Sequence, residues 1–176
     1  MEENQPNTGK YALMYGAIIG GIGIVFSLML YSADLHYQID LKRLLINVVI
    51  GLIFIVVGSI IAMKAFKKEN GGYMSIGQGL KVGVGMALVS GIISILFGFV
   101  LSKVIDPDMQ QKAIEYGTEV MRDYGMTEAQ IDEQLEQQKN PNLFWQVAQG
   151  LIFSLVFGFI GAIIPAVVLK RNENID

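Results

Sequence analysis

Four long runs without a charged residue dominate this chain, and the one from Val82 to Ser102 restricts it most. It lies between Lys81 and Lys103 and holds 21 residues. At about 1.5 Å of rise per residue, such a helix crosses a hydrocarbon core of about 30 Å. Small residues recur at every fourth position along it and just before it: Gly79, Gly83, Ala87 and Gly91. That spacing gathers them on one helical face, where a neighbouring backbone can approach closely.

The other runs follow the same logic. Tyr11 to Tyr31 is uncharged, with Gly16-xxx-Gly20 as a helix-contact motif and tyrosines near both ends. Leu44 to Met63 is uncharged between Arg43 and Lys64, with Asn47 as its one strongly polar side chain. The last run, about Leu143 to Leu169, carries a second ladder: Gly150, Ser154, Gly158, Ala162 and Ala166. Pro165 removes one backbone hydrogen bond there and predicts a kink. The fold expected is an all-α membrane protein of four transmembrane helices, about 11–31, 44–63, 80–102 and 143–169. The two ladders predict that the third and fourth spans pack on each other.

Between those two spans, residues 103–142 form the one sizeable water-facing segment. Asp106-Pro107 reads as a helix start, with Asp as the cap and Pro in the first turn. Met109, Ala113, Tyr116, Val120 and Tyr124 follow at helical spacing, and Gly125 offers a stop. Thr127 to Gln130 fits a capping box, with Ile131 and Leu135 on one face up to Asn140-Pro141. Two amphipathic helices, about 107–124 and 128–139, make a hairpin. The apolar face of the first, with Met109, Tyr116, Val120 and Tyr124, is a candidate partner-binding surface. Residues 103–146 hold nine acids and four bases, a net charge of −5 in a chain of −3. Ser75 to Gln78 is another capping box, opening the third span.

Composition agrees with a membrane protein: 52% of the residues are hydrophobic and 16% charged, against about a quarter charged in soluble domains. The absence of cysteine excludes disulfides and thiolate chemistry. A single histidine, His36, argues against a His-ligated metal. No basic stripe with interleaved aromatics points to nucleic acid. The N-terminal MEENQPNTGK is polar, is expected to be mobile, and lacks the basic region of a secretory signal, so the first span is expected to stay as an anchor. Lys10, Lys64, Lys67, Lys68, Lys81, Lys170 and Arg171 fall on the side of the two termini. Their density places both termini in the cytoplasm and the hairpin outside, although Lys42 and Arg43 oppose this.

An uncharged glycine-rich first span precedes a basic loop reading GGYMSIGQGLKVG. Then come a glycine-rich third span, IDPD, an acidic helical segment with a Tyr-Gly-Met-Thr turn, and a last span. This order resembles a family of small four-span bacterial inner-membrane proteins known only as a domain of unknown function. Ser75–Gly83 and Ile105–Asp108 carry the resemblance most specifically. It implies the four-span architecture and brings no activity, cofactor or site residue with it.

No ionisable side chain lies inside a span, which argues against a proton-coupled transporter or an intramembrane protease. His36 with Asp34 and Asp40 offers a cation site, but a solvated loop is the simpler reading. Asn47 and Gln149 read as hydrogen bonds between helices. The expected protein is therefore not an enzyme and holds no cofactor or metal. It is a scaffold or accessory subunit in the bilayer, binding another membrane protein or itself. The alternative is a small oligomeric permease or channel for a neutral solute, using Asn47, Gln149, Ser27, Ser59, Ser90, Ser94 and Ser154.

Overall fold

The computed structural model describes residues 6–138 and 142–171. The chain runs α1 (Thr8–Ser32), α2 (Leu41–Glu69), α3 (Ile76–Val100), α4 (Met109–Asp123), α5 (Glu128–Gln138) and α6 (Leu143–Leu169). A π turn, Leu101–Ile105, extends α3. Residues 1–5, Lys139 and the Asn140–Pro141 stop lie outside the described residues.

Four helices are long and apolar enough to cross a membrane: Thr8–Ser32, Leu41–Glu69, Ile76–Ile105 and Leu143–Leu169. The helices outrun the uncharged runs because backbone hydrogen bonding continues through Lys42 and Arg43 at one end of α2 and Lys67 and Lys68 at the other. Long basic side chains tolerate this by carrying their charge to water while their stems stay apolar.

α3 is the central helix. Its ladder meets the ladder of α6 in antiparallel register. A Cβ placed on Gly79 would lie 3.0 Å from the Ala166 Cβ, one on Gly83 2.5 Å from the Ala162 Cβ, and one on Gly158 2.6 Å from the Ala87 Cβ. A Cβ on Gly91 would fall on the Ser154 side chain, and one on Gly150 would lie 2.9 Å from the end of Ile95. Each step of four along α3 thus matches a step of four back along α6. The opposite flank of α3 receives α1 in parallel register. Gly85 faces Ala12, Gly16 faces Val89, and Gly20 faces Ile93. So the Gly16-xxx-Gly20 motif of α1 also serves α3.

Packing is uneven along the bundle. The buried residues of α1 lie in its first half, those of α2 in its second half, those of α3 between Gly79 and Ser90, most of them in its first half, and those of α6 in its second. All four sets fall at the end where the chain begins and ends. There Tyr11, Met63, Phe66, Met74, Val82 and Met86 close a core. Backbone hydrogen bonds in both directions between Met74 and Arg171, each 2.9 Å, tie the α2–α3 turn to the end of α6. Lys67 Nζ donates to the Leu169 carbonyl at 2.8 Å, satisfying an otherwise unpaired helix-end group. Toward the hairpin end the helices separate, and α2 has no buried residue before Gly58.

The capping box at the start of α3 is formed: Gln78 N donates to Ser75 Oγ at 3.2 Å, and Ser75 N donates to Gln78 Oε1 at 2.8 Å. Ser75→Ala should lower the stability of the bundle by about 1 kcal/mol. Thermal unfolding of the detergent-solubilised variant, followed by circular dichroism, checks this.

Candidate functional site

Two places concentrate polar groups that the fold does not need for its closed core. The first is a clasp where the α1–α2 loop meets the base of the hairpin. The sequence suggests Asp106 as the cap of α4 and His36 as part of a solvated loop; both expectations are corrected. α4 begins at Met109, two residues later than read, and no side-chain oxygen caps it. Asp106 is 5% exposed and sits at the centre of a cluster. His36 Nε2 lies 2.8 Å from Asp106 Oδ2. Lys112 Nζ donates to both carboxylate oxygens, at 2.9 and 3.0 Å.

The π turn makes this possible. Its wider ring lets the Asp106 backbone N–H reach back to the Leu101 carbonyl at 2.8 Å, which turns the chain before α4 starts. Such wide turns are often found at functional or hinge positions. The imidazole is wedged between the Tyr31 and Tyr37 rings, with centroids 5.0 and 5.1 Å away. Its Nδ1 is buried with no hydrogen-bond partner. Lys112 Nζ also lies over the Tyr37 ring, 5.9 Å from its centroid.

One helical turn along α4, Tyr116 donates its hydroxyl to Asp40 Oδ2 at 2.7 Å. Asp40 also accepts from the Arg43 backbone N–H at 2.9 Å, acting as the cap of α2. The electrostatics follow this geometry. The Lys112 ammonium, with help from His36, holds the Asp106 carboxyl below the usual carboxylate range against the opposing effect of burial. Lys112 is raised in turn, chiefly by its bond to Asp106. Asp40 is lowered, first by the Arg43 N–H and then by the Tyr116 hydroxyl.

The apolar face read on α4 therefore divides. Tyr116 is spent on the chain's own α1–α2 loop, and Ala113, Ile114 and Gly117 flank a small space beside Ile39. Met109 and Val120 are half-buried, and Tyr124 is 71% exposed. At the far end Gly125, at φ +79°, stops the helix in a left-handed conformation that glycine adopts without strain. Thr127 and Gln130 form the second capping box, and Arg122 pairs with Glu128 at 2.8 Å.

The second place is a cavity of about 520 Å³ inside the membrane-spanning part, in the half where the helices separate. All four spans line it. Its walls are apolar, with Phe26, Phe54, Phe153 and Phe157 prominent, and its polar lining consists of Asn47, Ser90, Ser94 and Ser154. The three serines donate to carbonyls of their own helices: Ala87, Ser90 and Gly150, at 2.8–2.9 Å. Asn47 is exposed, and its side chain makes no hydrogen bond to another described residue. The bond between helices expected of it is not made, because the first half of α2 stands away from its neighbours. Gln149 is exposed, off the cavity. Ser59 is fully buried with its hydroxyl unpaired, beside Gly83 in the closed half. No group of three or more metal-ligating side chains occurs among the described residues.

Sequence reasoning grouped His36 with Asp34 and Asp40 in one loop, took Asp106 separately as a helix cap, and missed that Asp106, Lys112 and Tyr116 join that loop in one clasp. The pairs are separated by some 70 residues in the chain, and no local spacing announces them. Four helices long enough to span a membrane, joined by a helical hairpin, define a four-span membrane protein. The chain belongs to the family described as protein of unknown function (DUF4199), whose model matches residues 14–171. No curated protein and no solved structure matches it.

Proposed function

We propose that this protein is a non-enzymatic accessory subunit or scaffold, anchored by its four spans and presenting the α4–α5 hairpin to another membrane or envelope protein. The observation that carries this reading is the clasp. Two polar contacts from the α1–α2 loop hold the base of the hairpin at a set position on the bundle. The hairpin's outer surface stays in water, with Glu115, Glu119, Asp123, Asp132 and Glu133 exposed. A mere linker between spans has no need of a buried ionic anchor, whereas a recognition element gains from being held in place before it binds.

The closed end of the bundle also supports the scaffold over a pore. Met63, Phe66, Val82 and Met86 pack there with 0% exposure around the buried Ser59. In our reading the termini lie in the cytoplasm of a bacterial inner membrane and the hairpin outside, as the positive residues near the termini favour.

Chemical crosslinking in intact membranes through cysteines introduced at Glu119 and Asp132, followed by mass spectrometry, tests the reading. A recurrent partner captured by both positions is expected. Recovery of the protein alone from both would overturn it. The second reading, a small permease for a neutral solute, is favoured by the cavity with Asn47 and three serines. Purified protein in proteoliposomes that accelerates the entry of a neutral solute would replace the scaffold with that reading.

A further inference from the structure

The cavity wall carries an exposed amide, and the helix that supplies it carries more. On α2, Arg43, Asn47, Gly51 and Phe54 follow one another at steps of four, four and three, so they share one stripe of the helix. Asn47, Gly51 and Phe54 line the cavity. Arg43 stands about 6 Å above Asn47 along the axis, one turn nearer the helix start. Arg43 is paired there with Asp40, whose Oδ2 lies 3.4 Å from Arg43 Nε, and the neighbouring Lys42 is exposed.

Read from the start of α2 inward, the stripe offers a cation, then a neutral hydrogen-bonding group, then hydrocarbon walls. A glycerophospholipid offers the matching order: phosphate, ester carbonyl, acyl chain. The surrounding bilayer supplies it in that orientation, and basic residues at a membrane boundary attract phosphate headgroups. Size also decides between occupants. A helix about 10 Å across would fill 520 Å³ in about one turn, too little to seat a partner's span. A flexible chain fits, and the volume falls within the range of about 300–1,000 Å³ usual for ligand pockets. An acyl chain would make dispersion contacts with the apolar walls, and its ester carbonyl would accept from the exposed Asn47 amide.

We propose that the cavity holds one acyl chain of a membrane glycerophospholipid, with its phosphate at Arg43 and its ester carbonyl accepting from the Asn47 amide. Gly51 provides the means of testing this. A Cβ added there meets nothing within 4 Å, so Gly51→Phe fills the cavity without displacing a neighbour's backbone. Gly21 is equally open but does not line the cavity, and Gly21→Phe is the matched control.

The purified protein and its variants are equilibrated with equimolar phosphatidylglycerol and phosphatidylcholine vesicles, then analysed by native mass spectrometry for retained lipid. Wild type and Gly21→Phe should each keep one phospholipid. Gly51→Phe should reduce retention about tenfold or more, and Asn47→Leu and Arg43→Gln severalfold each. Retention by Gly51→Phe equal to wild type, or equal losses in Gly21→Phe and Gly51→Phe, would overturn the proposal. A phospholipid with a photoreactive acyl chain gives an independent readout. Labels on residues 47–55 and 150–157 support the site; labels confined to outward faces, or capture of a second copy of this chain there, overturn it.

Discussion

Gly83→Leu is expected to unfold the bundle, and Gly98→Leu on the same helix is expected to leave it intact. At Gly83 even the first added carbon would lie 2.5 Å from the Ala162 Cβ, with Met63 Cε at 3.0 Å and Ser59 Oγ at 3.1 Å. The Ala162 Cβ is tied directly to the α6 backbone, so it cannot rotate away. α3 and α6 would have to separate, and the ladder contacts above and below would open with them. Overpacking a dense interior costs about 1–3 kcal/mol where side chains can adjust. Here a backbone must move, so the loss should exceed about 3 kcal/mol. Gly158→Leu should behave alike, because its Cβ would lie 2.6 Å from that of Ala87. Gly98 has nothing within 4 Å of an added Cβ, and its substitution should stay within about 0.5 kcal/mol of wild type. Thermal unfolding in a mild detergent separates these cases. Unchanged melting of both Gly83→Leu and Gly158→Leu would show that the two spans do not meet through their small residues.

Removing the carboxylate at the clasp should release the hairpin while leaving the bundle folded. In Asp106→Ala, His36 and Lys112 both lose their partner. The imidazole is 2% exposed, and leaving one of its nitrogens without the bond it makes costs about 1–3 kcal/mol. Asp106→Asn keeps an oxygen that can accept, so its effect should be smaller. Hydrogen exchange checks the locality: residues 109–123 should lose protection in the order Ala, Asn, wild type, while the first half of α3 stays protected. Loss of protection throughout would show that the clasp supports the whole fold.

Acid should reproduce the effect. Asp106 is lowered in the folded protein, first by Lys112. A group with a depressed folded pKa contributes stability that is fully present above its unfolded value, about 3.9 for aspartate, and lost as pH falls through the folded value. Asp40 is shifted in the same direction and acts at the neighbouring contact to Tyr116. The hairpin should therefore stay docked at neutral pH and come free only below about pH 4.

The spans, the capping box at Ser75 and the pairing of ladders were legible because each is a local pattern. A membrane span needs only about 20 uncharged residues in succession, and a ladder only small residues four apart. The partner of Gly16-xxx-Gly20 was not legible, since a small-residue motif says that something comes close without saying which helix. Asp106 misled for a related reason. An Asp-Pro pair is a sound local start signal, but the π turn aimed its carboxylate at a histidine some 70 residues away.

What the sequence alone determined is the solvent this chain needs and the number of times it crosses it, because hydrocarbon rejects charge residue by residue. Where the helices close and where they part was decided only in three dimensions. Glycine and alanine on facing helices let backbones come together at the termini end, whereas the first half of α2 buries no residue against its neighbours. The cavity and the exposed Asn47 follow from that difference in packing, and the buried anchor of the hairpin follows from the π turn that ends α3.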